Sequence, residues 1–149
     1  MKKYMMLLTV TLLLAANSSF AQDIPQNQVP SVIVNNFQKK FPKAYDIEWE
    51  LDGTLYKVEF ETGRISKDHD AWYDKTGALV RLKEEITKEE LPQKVLESIK
   101  QEFSGYRMDD IKRVTEGSEV YYRVDLESFS EEWKVVYAEN GKLISKVAD

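Results

Sequence analysis

The sequence predicts an α+β fold made of one unit used twice, a helix followed by four antiparallel strands. Three observations predict it. Val34, Phe37 and Phe41 lie at i, i+3 and i+7 on one face of a helix, and Leu96, Ile99 and Phe103 repeat that spacing 62 residues later. Period-two strand patterns follow each helix in the same order. Glycine-containing turns then separate those strands at matching places.

The elements can be justified along the chain. Lys2 and Lys3 give a basic start, residues 5–16 are apolar apart from Thr9 and Thr11, and Ser19 and Ala21 put small residues at the −3 and −1 positions. That order is the pattern of a cleavable secretory signal over residues 1–21, cut after Ala21. Its apolar run of 12 residues is shorter than the ~20 a spanning helix requires. Cleavage would remove two Lys and no acid, leaving 128 residues of net charge −7 and no membrane span. The expected location is periplasmic or secreted. Residues 22–28 are polar around Pro25 and read as a flexible lead-in.

The first unit is expected over residues 29–86 and the second over 87–149. Pro30 and Pro92 sit where each helix begins, since a missing N–H costs nothing at the first helical position. Thr87 and Glu90 have capping-box spacing just upstream of the second helix. Lys39, Lys40, Lys100, Gln101 and Glu102 fall largely opposite the apolar stripes. Pro42 and Gly105 end the helices. Tyr56, Val58 and Phe60 alternate with Lys57 and Glu59, as Tyr122, Val124 and Leu126 do with Arg123 and Asp125. Ala71 and Tyr73 correspond to Val135 and Tyr137, Leu79 and Val80 to Leu143 and Ile144. The turns are placed at Gly53, Gly77, Gly117 and Gly141.

Composition excludes several functions. Of 149 residues none is Cys and one is His, so there is no disulfide, thiolate site, cysteine nucleophile or multi-histidine metal site within the chain. A net charge of −5 argues against nucleic acid, whose phosphates call for clustered Lys and Arg. No cofactor is expected.

The Val-Pro and Leu-Pro helix starts, the helix ends at Phe41-Pro42 and Phe103-Ser104-Gly105-Tyr106, the Tyr-x-Val strands and the Tyr-x-x-x-Gly-x-Leu closings resemble the PepSY-like, β-lactamase-inhibitor-like proteins, exported proteins common in Bacteroides. The resemblance covers about residues 29–147. It implies a fold like the β-lactamase inhibitor protein and an exported binding or inhibitory role toward a protein or peptidase partner. That inhibitor contains disulfides and this chain has no Cys, so β-lactamase is not the expected target. The resemblance brings no catalytic motif with it.

Each candidate chemistry has a plainer rival. His69 lies between Asp68 and Asp70, but strand neighbours point to opposite faces, so the three do not converge; it reads as a strand-edge histidine between solvated acids. The acidic pairs Glu84-Glu85, Glu89-Glu90, Asp109-Asp110 and Glu131-Glu132 cannot face each other across a cleft as glycosidase carboxylates do, and read as solvated surface. No Gly-x-Ser-x-Gly and no phosphate loop is present. The expected protein is therefore not an enzyme.

Aromatic residues carry the remaining signal. Trp72 and Tyr121 alternate out of register with the core positions Tyr73 and Tyr122, which puts them, with Lys57 and Arg123, on the helix-free face; Trp133 is assigned to the same face, although its strand allows either. Aromatics with Arg on an exposed face have the composition of interface hot spots. The expectation is a non-catalytic module that binds a protein or peptide partner of the cell envelope there. The alternative is a small-ligand or peptide sensor with a groove between the units.

Overall fold

The protein is described by a computed structural model that covers residues 21–149; the leader expected at residues 1–21 lies outside the described residues except for Ala21. The element order is β1 (Gln22–Asp23), α1 (Ser31–Lys40), β2 (Tyr45–Asp52), β3 (Leu55–Thr62), β4 (Lys67–Tyr73), β5 (Leu79–Glu85), α2 (Gln93–Glu102), β6 (Arg107–Glu116), β7 (Glu119–Glu127), β8 (Glu132–Ala138) and β9 (Leu143–Ala148), with short 3₁₀ turns at Gln26–Gln28 and Lys88–Glu90. The nine strands form one antiparallel sheet in sequence order, and both helices lie on one face of it.

The helices begin and end where local chemistry directs. Pro30 and Pro92 are the N-caps. Phe41 and Phe103 close the last turns, their N–H groups donating to the carbonyls of Phe37 and Ile99 at 2.8 Å. The buried stripe is centred one residue earlier than the spacing of Val34 and Leu96 implied: Ile33 and Phe37 are buried in α1, Val95 and Ile99 in α2. The capping box at Thr87 and Glu90 is formed, with the Thr87 N–H donating to Glu90 Oε2 at 2.8 Å. It caps the 3₁₀ turn rather than α2.

Two apolar clusters fill the space between helices and sheet. Under α1, Phe37 meets Trp49 edge-on at 5.4 Å and Phe60 at 5.0 Å, with Val58, Ala71 and Tyr73 beside them. Under α2, Val95 and Ile99 lie with Tyr122, Val124, Leu126, Val135 and Tyr137. The same irregularities occur in both halves. Bulges interrupt β2 between Tyr45 and Glu48 and β6 between Met108 and Ile111. Others interrupt the pairing of β4 with β5 at Tyr73 and of β8 with β9 at Tyr137. Asp46, in the first bulge, adopts a positive φ of 47°, a conformation Asp tolerates better than most residues.

Two expectations need correction. Residues 22–28 are not a loose lead-in: β1 pairs with β2, and the Ile24 N–H donates to the Trp49 carbonyl at 2.9 Å. Among the described residues the strands number nine rather than the expected eight, because β1 is added, and they form a single sheet because β5 pairs with β6 and joins the two halves. Among the described residues, no helix is long and apolar enough to cross a membrane.

Candidate interaction face

Residues directly opposite each other in an antiparallel pair share a face, so the register assigns every side chain. On the helix-free face one row runs Glu50, Lys57, Trp72, Arg81, Glu116. The next runs Glu59, Asp70, Lys83, Val114, Tyr121, Ala138. A third runs Lys112, Arg123, Val136, Ser145.

Trp72 is on this face but not exposed. It retains 6% of its surface, because Lys57, Arg81 and Lys83 place their cations 5.6, 5.2 and 5.8 Å from its ring. Its indole N–H donates to Asp52 Oδ2 at 2.8 Å. The three cations are held in turn by carboxylates: Lys57 by Glu50 at 2.5 Å and by Glu59, Arg81 by Glu116 at 2.8 Å, Lys83 by Asp70. Burial alone would lower the Lys57 ammonium, but Glu50 and Glu59 outweigh it and hold it above the ordinary lysine value. Trp72 is thus the apolar floor of an ion-pair lattice, which corrects its reading as an exposed anchor.

Trp133 is also corrected. It pairs with Leu126 on the helix-covered face, packs against the α2 cluster, and lies under Lys146 at 4.8 Å. Its spacing of two and four residues from Val135 and Tyr137 was the available signal. His69, expected as a strand-edge histidine, instead lies in β4 between β3 and β5. It is 8% exposed on the helix-covered face, stacked on Phe60 at 5.0 Å, with Nδ1 2.8 Å from the Lys67 carbonyl oxygen. Asp68 and Asp70 point to the opposite face, paired with Glu61 and Lys83.

The structure brings Lys57 and Trp72 into contact and links Tyr121 to them only through Glu116, which accepts from the Tyr121 hydroxyl at 3.5 Å and from Arg81. Arg123 stands apart. It is exposed, and among the described residues it is the one cation of this face with no ion pair; Lys57, Arg81, Lys83, Lys112 and Lys134 each have one. Half-buried Tyr121 and Val136 flank it. Sequence reasoning missed Arg81, Lys83, Lys112 and Lys134, whose roles depend on pairings between distant strands. Among the described residues no three His, Cys, Asp or Glu side chains are grouped to hold a metal ion.

The family described as "Putative beta-lactamase-inhibitor-like, PepSY-like" matches residues 18–80 and again 54–145. A DUF2874 family protein from Bacteroides uniformis shares 18% identity at a TM-score of 0.69, over 80% of this chain and 88% of that one. A protein from Bacteroides eggerthii, described as putative periplasmic, shares 17% at 0.70 over 80% and 88%. A BLIP-like protein from Bacteroides fragilis shares 19% at 0.67 over 84% and 87%. No curated protein sequence matches the chain. At these identities the solved structures show a shared BLIP-like fold. Since the two family matches together reach from residue 18 to residue 145, the chain belongs to the PepSY-like, beta-lactamase-inhibitor-like family.

Proposed function

We propose that the protein is an exported, non-catalytic binding module that meets a protein or peptide partner of the cell envelope with the helix-free face of its sheet. The observation that carries this reading is the exposed guanidinium of Arg123, without an ion pair among the described residues, beside half-buried Tyr121 and Val136. Arg and Tyr framed by apolar surface form the composition of binding hot spots. The remainder of the face toward β3 and β4 is closed by its own ion pairs, so docking centres on β7 and β8 and not on Trp72. A binding role also agrees with His69, whose ring is packed against Phe60 instead of facing solvent.

Export rests on the leader pattern of residues 1–21 and agrees with the periplasmic description of the Bacteroides eggerthii protein. We also read residues 29–86 and 87–149 as two copies of one helix-plus-four-strand unit. The paired bulges and the matching contacts between each helix and its own hairpin support that reading.

Photo-crosslinking tests the proposal. A photoreactive residue at position 136 should trap one envelope protein in living cells, while the same residue at exposed Gln93 or Lys39 on the helices should not. Adducts from the helix positions alone would reject the face.

A small ligand is the second reading. It is favoured by the open cleft between the start of α2 and the turn after β8, where Gln93, Tyr121, Asn140 and Ile144 meet. A compound that raises the melting temperature and shifts those four residues would support it, since a ligand of the folded state must stabilise that state.

A further inference from the structure

Four cations surround one small recess on the helix-free face. Lys83, Lys112, Arg123 and Lys134 line it together with Asp110 and Asp125, and its volume is about 220 Å³. Three of the cations are already engaged: Lys83 by Asp70, Lys112 by Asp110 at 3.0 Å and Lys134 by Asp149 at 2.7 Å. Those pairs hold the lysines in place around the recess. Arg123 has no ion pair and no side-chain hydrogen bond among the described residues, so its donors stay available. Asp125 is on the same strand and face, two residues along. It is the one carboxylate of the recess outside an ion pair among the described residues.

We propose that this recess receives a carboxylate presented by the docking partner, a Glu or Asp side chain seated on the Arg123 fork. Three features point to that chemistry. A planar guanidinium with free donors takes a carboxylate through two parallel hydrogen bonds, a geometry a lysine cannot reproduce. The recess admits one side-chain head and is too small for a larger ligand. Half-buried Tyr121 and Val136 neighbour Arg123 on the same face, and apolar surface beside such a bond raises its worth at an interface.

This inference rests on the helix-free face being the docking face, and its test needs no partner. The isotopically labelled protein is titrated with a blocked Glu-Glu dipeptide, with inorganic phosphate and with a blocked Gln-Gln dipeptide, following the Arg123 Nε–H and the Lys112 and Lys134 signals by NMR. The expected result is a saturable shift with Glu-Glu alone, weakened about tenfold or more by Arg123→Gln and also weakened by Arg123→Lys, which keeps the charge but not the fork. Arg123 is exposed, so both variants should keep the parent's amide spectrum. A saturable response to phosphate without one to Glu-Glu would overturn the proposal, as would undiminished binding in Arg123→Gln or no shift with any probe. If crosslinking from position 136 persists while Glu-Glu gives no shift, the carboxylate inference fails and the face survives.

Discussion

The Ser98 hydroxyl donates to the Gly141 carbonyl at 2.6 Å and ties α2 to the hairpin between β8 and β9. Asn36 Nδ2 does the same to the Gly77 carbonyl at 2.8 Å, tying α1 to the hairpin between β4 and β5. Each glycine has a positive φ, 84° and 90°. A Cβ added at Gly141 would lie 2.5 Å from the Lys94 carbonyl oxygen, which is helix backbone. One added at Gly77 would meet the side-chain atoms Asn36 Nδ2 at 2.8 Å and Val32 Cγ2 at 2.9 Å.

Both glycines are therefore needed, but unequally. Gly141→Ala should cost about 3 kcal/mol, combining a left-handed backbone with a collision that only a moving helix relieves. Gly77→Ala should cost about 1–2 kcal/mol, because Asn36 and Val32 can turn aside. Urea denaturation of the two variants measures the difference. Equal losses would mean that α2 shifts as easily as a side chain.

Trp72 makes a different prediction from the one its alternation first invited. It is buried under three cations, so Trp72→Ala should destabilise the fold by about 3–5 kcal/mol. Trp72→Phe should cost less, losing mainly the bond from the indole to Asp52. Thermal melts of both variants check this. A Trp72→Ala protein as stable as the parent would remove the tryptophan from the structural lattice and return it to the candidate contacts.

The contrast shows what was legible in the chain. Pro30 and Pro92 marked the helix starts because the effect of proline on backbone and donor is local. The alternation of Lys57, Trp72, Tyr121 and Arg123 with core positions gave their face correctly, because alternation depends only on the strand itself. Exposure is not local. Trp72 is covered by Lys57 and Arg81 from the two strands beside its own, and by Lys83 from the second row, and no spacing within β4 announces them. The pairing of β5 with β6 across the α2 connection was unreadable for the same reason. The strand at Gln22–Asp23 carries no apolar period at all and is held by backbone bonds to β2.

Alkaline pH should unfold the protein through two tyrosines. Burial pushes Tyr73 up to about 12; burial, then the nearby Glu102 carboxylate, does the same for Tyr137. An unfolded tyrosine ionises near 10, so the folded state holds both protons more tightly. Their contribution to stability is complete below about pH 10 and is lost as pH rises from there through about 12. Urea midpoints taken across that window should fall, and the fall should be shallower in Tyr73→Phe and Tyr137→Phe. A slope unchanged in the double variant would place the alkaline sensitivity elsewhere.

Arg123→Ala separates folding from binding. The side chain is exposed and unpaired among the described residues, so its removal should change stability by no more than about 0.5 kcal/mol. Tyr121→Ala removes a half-buried ring and a long bond to Glu116, so a modest loss is expected there. Both should abolish the crosslinked adduct formed from position 136, whereas Trp133→Ala should leave it formed in whatever fraction still folds, because Trp133 packs under α2 on the opposite face. Quantifying adduct per folded molecule, with circular dichroism as the measure of folding, makes the comparison. Retention of the adduct in the Arg123 and Tyr121 variants, with loss in Trp133→Ala, would move the docking surface to the helix-covered side of the sheet.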